Sequence, residues 1–285
     1  MKLPPFDYVS PSSLAEATQI LAAANGAARP IAGGQSLMPL MAFRLTTPSL
    51  LVDLAKIPDL DRIVIGDDGV RLGARVRWCD IEADTRLASA LPLLSAAIEH
   101  VAHYQIRFRG TVGGSLAHAD PAAEMPGIAA TADAIIETVG VKGNREIAAA
   151  DFFVGPLDTS LLPDEIIIGV RFQPWPMQRR WAFEEFARRR GDFALAGIAL
   201  FYDLDASGRA ANAHIGVIGA TDKPMRLAAA EAALNGRPID TASIDAAARA
   251  AASAVEPPND YQGSAEYRRS LVATLLERAL RRAAA

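Results

Sequence analysis

Two short segments combine paired glycines with small polar residues, a composition suited to binding phosphate. The first segment comprises Ala32, Gly33, Gly34, Gln35 and Ser36, and the second comprises Thr111, Val112, Gly113, Gly114 and Ser115. Paired glycines let consecutive backbone N–H groups turn toward one point, and their missing Cβ atoms let a bulky anion come close. The hydroxyls of Ser36, Thr111 and Ser115 can donate further hydrogen bonds to phosphate oxygens. Two such loops could hold the pyrophosphate of a dinucleotide from both sides.

The same glycine pairs are also typical of ordinary turns. Neither loop matches the G-x-G-x-x-G pattern that opens a helix in Rossmann domains, and neither continues into the Gly-Lys-Ser/Thr of a P-loop. Both of these nucleotide-binding modes are therefore disfavoured. The spacing of the glycines, taken alone, leaves the function open.

Composition and charge restrict the class of protein. The chain has 285 residues, of which 51% are hydrophobic and 22% charged, enough for two compact domains or one large one. A net charge of -4 with no concentrated basic surface argues against a nucleic-acid binder. The longest apolar stretch, residues 193–202, is far shorter than the ~20 residues of a membrane helix, so no membrane span is expected. Because the first residues lack the apolar run of a signal peptide, the expected location is cytoplasmic.

The cysteine and histidine content argues against a metal centre in this chain. Cys79 is the only cysteine, whereas an iron–sulfur cluster needs about four thiolates. If electrons leave through such a cluster, another chain must hold it. His100 and His103 fall on one predicted helix face, but no acid or cysteine completes a ligand set, so no metal is expected. The sequence also has no Ser–His–Asp arrangement in a supporting motif, and no catalytic residue is predicted.

Hydrophobic periodicity predicts a mixed fold of helices and strands. A helix over residues 13–24 and strands at 30–31 and 50–54 form a small first lobe. A hairpin, helices and further strands follow, at residues 63–72, 81–103 (interrupted near Leu91-Pro92), 122–132, 135–139 and 165–172. The run Gln173-Pro174-Trp175-Pro176 then indicates a domain boundary. Beyond it we expect three antiparallel strands (181–187, 194–204, 213–218) and three helices (227–234, 244–254, 265–282).

Residues 30–41 (PIAGGQSLMPLM) and 105–126 (QIRFRGTVGGSLAHADPAAEMP) resemble the two FAD-binding signatures of the medium subunits of molybdenum hydroxylases. This family includes the carbon monoxide dehydrogenase and xanthine dehydrogenase types. Shorter likenesses occur at residues 5–8, 163–166 and 189–194, in the same order along the chain. The resemblance covers nearly the whole sequence.

The resemblance implies an α+β fold and a set of cofactor contacts. A two-lobed FAD-binding domain of the vanillyl-alcohol-oxidase type would occupy residues 1–176, with lobes of about 1–57 and 58–176. A C-terminal flavoprotein domain of the carbon monoxide dehydrogenase type, a three-stranded antiparallel sheet with a helical bundle, would occupy residues 177–285. Residues 32–36 and 111–115 would wrap the FAD pyrophosphate and ribityl chain. Glu124 would accept hydrogen bonds from the adenosine part, and Ile167 would pack on the isoalloxazine. Without the resemblance, Glu124 is a charge starting a helix and Ile167 a core residue of a strand.

Two positions depart from the family pattern. Many relatives carry a lysine at the position of Glu185, where it can reach the flavin, and a carboxylate has the wrong sign to stabilise reduced anionic flavin. The arginines at 188–190 could substitute for that lysine or form a docking surface, and an inconsequential surface glutamate is the alternative. Phe108 replaces the usual asparagine before the second loop, and core packing is its expected role.

The function implied by the resemblance is electron transfer. FAD would be held by this chain, and the molybdenum cofactor and [2Fe-2S] clusters by a large and a small partner subunit, assembled as a dimer of heterotrimers. The flavin would take electrons from the clusters and pass them to NAD, a quinone or O2. A self-sufficient FAD-dependent oxidase and a non-enzymatic FAD-binding accessory protein are the alternatives. An oxidase should carry its own substrate-cavity domain and often a covalent flavin anchor, and neither His nor Cys is present in the first loop.

Overall fold

The first lobe is a small parallel sheet with helices on it. The computed structural model describes residues 2–285. Helix α1 begins where the Ser13 hydroxyl accepts a hydrogen bond from the Glu16 amide, at 3.2 Å. Strand β3 lies between β1 and β2 and is parallel to both. The elements are β1 (Asp7–Val9), α1 (Leu14–Ala23), β2 (Ala28–Ile31), α2 (Leu37–Ala42) and β3 (Leu50–Asp53), followed by a 3₁₀ turn (Leu54–Lys56).

The second lobe is built on a five-stranded antiparallel sheet of order β4-β5-β10-β6-β7. Its apolar face packs under short helices, with Leu72, Phe152 and Val170 fully buried. The strands are β4 (Ile63–Gly66), β5 (Gly69–Gly73), β6 (Ile135–Gly140), β7 (Gly143–Ala148), β8 (Phe153–Gly155), β9 (Asp158–Thr159) and β10 (Ile166–Phe172). The helices are α3 (Trp78–Ala83), α4 (Leu87–Ala90), α5 (Pro92–Ile98), α6 (Tyr104–Arg107), α7 (Val112–His118), α8 (Glu124–Thr131) and α9 (Ala149–Phe152).

Two of the sequence-based expectations for this lobe were wrong. The helix expected over residues 81–103 is interrupted at Leu91-Pro92 as predicted, but it also breaks at Asp84 and ends at Ile98, so three short helices take its place. The second glycine segment is mostly helix rather than loop. Thr111 is its N-cap, and the Thr111 hydroxyl accepts a hydrogen bond from the Gly114 amide at 3.1 Å.

The C-terminal domain has a sheet of four strands, one more than expected. Strands β11 (Arg180–Phe186), β12 (Ala196–Leu204) and β13 (Ala210–Ile218) are the three long ones, and the extra strand β14 (Met225–Arg226) has two residues that pair with β13. A bundle of α10 (Ala228–Leu234), α11 (Thr241–Ala254) and α12 (Ala265–Ala284) covers one face. Leu200, Tyr202 and Leu276 belong to the shared core. No helix within residues 2–285 is long and apolar enough to cross a membrane.

Helix α8 of the second lobe packs directly on the C-terminal sheet. A Cβ atom at Gly127 would lie 2.3 Å from Cγ1 of Ile218, so only glycine allows this approach. Farther along, the His214 Nδ1 atom lies 2.9 Å from the carbonyl oxygen of Thr131, and Arg226 pairs with Asp133 at 2.7 Å. The interface between the two domains is therefore closely packed.

Candidate cofactor site

A cavity of about 710 Å³ lies where the two lobes and residues 191–193 meet. All of the predicted cofactor-binding residues line it except Val112, which is fully buried in the core of the second lobe. The lining residues from that set are Ala32, Gly33, Gly34, Gln35, Ser36, Thr111, Gly113, Gly114, Ser115, Glu124 and Ile167. Sequence segments more than 130 residues apart are thus brought to one wall of one cavity.

The first glycine segment offers unused backbone donors. Among the described residues, no acceptor is paired with the N–H groups of residues 33–36. Gly34 has φ +71°, a left-handed conformation that favours glycine. A Cβ on Gly33 would lie 2.1 Å from the carbonyl oxygen of Arg109, so this glycine lets the first loop touch the segment before the second. The free N–H groups fit a phosphate or pyrophosphate.

The second glycine segment uses its backbone donors internally. Gly113 donates to the Ala74 carbonyl at 2.8 Å, Gly114 to the Thr111 hydroxyl at 3.1 Å, and Ser115 to the Thr111 carbonyl at 3.0 Å. A Cβ on Gly113 would lie 2.6 Å from Cβ of Ala74. This segment therefore contributes a close wall and the hydroxyl of Ser115, while the first segment contributes the N–H groups.

The charged residues of the wall are mostly acids. Arg29 is the one lysine or arginine among the lining residues, against the five acids Asp120, Glu124, Asp158, Glu165 and Asp192. Asp120 accepts a hydrogen bond from the Ala122 amide at 2.9 Å and so braces the loop before α8. Arg145 holds Glu165 at 2.8 Å. Backbone dipoles rather than a cluster of cations must therefore meet a bound pyrophosphate.

Glu124 is a buried acid at the start of α8. It is 7% exposed, and burial raises its pKa to about 7, with a smaller contribution from the charge of Asp120. Near neutral pH its carboxyl group can therefore donate as well as accept a hydrogen bond. Burial also lowers the pKa of His118, which lines the same cavity and is neutral under these conditions. Ile167, on β10, is 5% exposed and presents an apolar surface to the cavity.

The two departures from the family pattern do not behave as expected. Glu185 is not a surface residue, because its side chain is only 3% exposed. Phe108 is not in the core: it is 49% exposed, and the Arg77 guanidinium lies over its ring at 5.2 Å from the centroid. Arg188 is also less available for docking than expected, since it donates to the carbonyl oxygen of Gln262 at 2.7 Å.

Several wall residues lie outside the two glycine segments. Trp78 and Ile106 come from the short helices α3 and α6, Val101 comes from the bend after α5, and Gly191 and Phe193 come from the loop before β12. Of these, Trp78 and Val101 belong to no motif that the sequence indicated. A Cβ on Gly191 would lie 2.7 Å from the carbonyl oxygen of Ala102, which shows how closely the C-terminal domain approaches this end of the cavity. Phe193 is the first residue of the apolar run 193–202, a pattern that indicates a core strand, although its side chain lines the cavity.

The residues present fit FAD. A long cavity with unused N–H groups at a glycine loop, small residues opposite and apolar side chains at one end matches a dinucleotide with a flat ring system. The fold and site together define a two-domain FAD-binding flavoprotein.

Comparison with known proteins defines the family. A family model for the FAD binding domain in molybdopterin dehydrogenase matches residues 4–175, and one for the CO dehydrogenase flavoprotein C-terminal domain matches residues 181–283. The chain therefore belongs to the family of FAD-binding medium subunits of molybdenum hydroxylases, as its two signatures indicated. It binds FAD and is an oxidoreductase subunit.

Individual relatives match over their full length. The nicotine 6-hydroxylase medium subunit of Paenarthrobacter nicotinovorans is 42% identical over 280 residues, with 98% of each chain covered. A chain of quinoline 2-oxidoreductase from Pseudomonas putida 86 superimposes with a TM-score of 0.94 at 38% identity, covering 100% of this chain and 99% of that one. A chain of carbon monoxide dehydrogenase from Hydrogenophaga pseudoflava gives a TM-score of 0.96 at 33% identity, covering 99% and 98%. These matches confirm the α+β fold class and do not favour the oxidase or accessory-protein alternatives.

Proposed function

We propose that this chain is the FAD-carrying electron-transfer subunit of a molybdenum-containing hydroxylase. Its FAD takes electrons from the [2Fe-2S] clusters of a small partner subunit and passes them to NAD, a quinone or O2. The organic substrate is transformed at a molybdenum cofactor on a large subunit. The observation that carries the proposal is the set of unused N–H groups at residues 33–36, facing the second glycine segment across one cavity, in a chain that matches medium subunits over its whole length.

Each part of FAD contacts a different segment of the cavity wall. Residues 32–36 hold the pyrophosphate through the free N–H groups of 33–36 and the Ser36 hydroxyl, and the second segment closes around it with Thr111, Gly113, Gly114 and Ser115, while Val112 packs in the core. Glu124 hydrogen-bonds the adenosine part, and Ile167 packs on the isoalloxazine. The flavin supplies the exchange between single electrons from clusters and electron pairs for the acceptor, and the protein supplies placement and electrostatics.

The proposal includes a division of the chain into domains and an assembly of the complex. We place the FAD-binding domain at residues 1–176, with lobes of about 1–57 and 58–176, and the C-terminal flavoprotein domain at residues 177–285. The limits of the two family models, 4–175 and 181–283, support this division. The complete complex is a cytoplasmic dimer of heterotrimers, and Arg189 and Arg190 are candidates for contacts with a partner chain.

Purification of the tagged chain from its native cells tests this function. We expect it to elute with a large and a small chain, and the complex to contain FAD, iron and molybdenum in fixed ratios. The substitution Gly66→Ala, in an open hairpin turn, provides a tagged control that should assemble equally well. A yellow chain that elutes alone, without iron or molybdenum, would contradict the subunit assignment and favour the oxidase or accessory protein.

A further inference from the structure

Two buried carboxylates face each other where α8 packs on the C-terminal sheet. Glu124 lies one turn before Gly127, on the same face of α8, and Gly127 is in contact with Ile218. In the sheet, Ile218 is paired with Gly197, and Gly197 is paired with Glu185. Paired residues of neighbouring strands lie on the same face of the sheet, so Glu185 lies on the face that α8 contacts at Ile218. Glu124 lies on the side of α8 that is turned to this face. We call Glu124 and Glu185 the carboxylate pair.

No cation neutralises Glu185. Its Oε2 atom is fully buried and has no hydrogen-bond partner among residues 2–285. The nearest basic atom is Nδ1 of His100, which lies 3.8 Å from Oε1, beyond hydrogen-bonding distance. Burial lowers the pKa of His100, so this ring is neutral at neutral pH and provides no counter-charge.

Other charged groups around the pair do not change this situation. Asp120 lies near Glu124 and adds negative charge. Glu184 faces away and pairs with Arg282 at 2.8 Å. The charged groups that act on His100 are Glu99, Glu184, Arg190 and Arg282, two acids and two bases. The pair is thus an acidic site without a compensating cation.

A buried carboxylate without a partner retains its proton at unusually high pH. Burial raises the pKa of Glu124 to about 7, and burial together with the charge of Glu124 raises the pKa of Glu185 to about 8. Two interacting acids with these values titrate as a unit, and midway between them the unit holds one proton. Glu124 connects this unit to the cofactor cavity, because its side chain lines the wall.

We propose that the carboxylate pair stores one proton beside oxidised FAD and takes up a second proton from solvent when FAD receives electrons. The inference rests on the proposed function, in which a partner chain supplies the two electrons. These electrons stay on the cofactor, and the two carboxyl groups change only in their protonation, not in their oxidation state. One carboxylic acid and one carboxylate become two carboxylic acids, and the added proton offsets negative charge gained in the cavity. Glu185 is a positioning residue here, since it acts on the cofactor through Glu124.

The test is the pH dependence of the FAD midpoint potential in the FAD-loaded chain. Uptake of one additional proton changes the reduction equilibrium tenfold per pH unit, which is about 30 mV for a two-electron couple. Between pH 7 and pH 8.5 the potential of the wild-type chain should fall more steeply than that of the double variant Glu124→Gln/Glu185→Gln, in which neither side chain can ionise, by up to this amount per pH unit. Glu184→Gln, which changes the neighbouring surface acid, should keep the wild-type slope.

A second measurement covers a variant that loses FAD or fails to fold. The infrared difference spectrum of the wild-type chain, reduced minus oxidised at pH 8, should gain a carboxylic-acid C=O band that shifts in D2O. Equal slopes for wild type and the double variant, or no gain of that band, would overturn the proton store while leaving the electron-transfer function intact. A chain without any bound flavin would contradict both.

Discussion

Replacing Glu185 by glutamine should make the stability of the chain less sensitive to alkaline pH. Glutamine keeps the shape of the side chain but cannot ionise. The pKa of Glu185 is raised to about 8 in the folded chain, from 4.5 in the unfolded one, and that of Glu124 to about 7. The folded state therefore binds more protons than the unfolded state, so stability is fully present at low pH and is lost as pH rises toward 8.

The size of the effect follows from the two pKa values. Each pH unit between the unfolded and folded pKa of a group costs roughly 1.4 kcal/mol. Above pH 6, Glu185 lowers the free energy of unfolding over two pH units, up to its pKa of about 8, and Glu124 does so over one, up to its pKa of about 7. The free energy of unfolding of the wild-type chain should therefore fall by about 4 kcal/mol between pH 6 and pH 9. Glu185→Gln keeps only the Glu124 part, about 1 kcal/mol.

Urea unfolding of the FAD-free chain at pH 6 and pH 9 measures this difference, with Glu184→Gln as the matched control. The control should lose as much stability as the wild type, because Glu184 is paired with Arg282 at the surface. If Glu185→Gln loses the same free energy as the wild type over this range, the carboxyl of Glu185 does not hold a proton in the folded chain, and the reasoning fails.

Three further predictions concern FAD and the packing around it. Gly33→Ala should abolish FAD retention, because its Cβ would lie 2.1 Å from the Arg109 carbonyl oxygen. The control Gly66→Ala should retain one FAD per chain, measured by flavin absorbance. Full FAD occupancy in Gly33→Ala would show that the two loops need not touch. Acid denaturation should release the flavin as intact FAD, since the first loop has no His or Cys to attach it, and recovery of FMN alone would be incompatible with a pyrophosphate site. Arg268→Ala should destabilise the C-terminal domain by about 3–5 kcal/mol in urea unfolding, because the buried guanidinium bonds the Leu195 and Gly219 carbonyls and Asp260; a loss below about 1 kcal/mol would contradict this role.

The family, the fold class and most of the cavity wall could be predicted from the sequence because they depend on local patterns. Glycine pairs, cap residues and alternating apolar residues act over a few positions, and the long strands and helices of the C-terminal domain match their predicted ranges closely. The break at Asp84 was missed, because the apolar residues from Ile81 to Leu91 suit one continuous helix as well as two short ones. Pro92 marked the second break, but the non-helical backbone of Leu91 depends on tertiary packing.

The state of Glu185 could not be predicted, because burial of a charged side chain on a strand is a property of the assembled domains. The pattern of β11 has acids at two successive positions, and successive side chains of a strand point to opposite faces. One of the two had to face inward, and the sequence does not say what lies opposite it. The structure packs α5 on β11 and brings Glu124 of α8, rather than a base, within electrostatic reach of Glu185.

The most direct test of the electron-transfer role is an anaerobic reduction of the FAD-loaded chain, verified free of partner subunits and molybdenum. Dithionite should bleach the flavin, while aldehydes, purines and N-heterocycles should leave it oxidised until the large and small subunits are added. The reason is that the chain matches the FAD-binding domain and the flavoprotein C-terminal domain, and in the proposed function the organic substrate is transformed on the large subunit. Rapid bleaching of the isolated chain by any of these substrates would contradict the account and favour a self-sufficient oxidase.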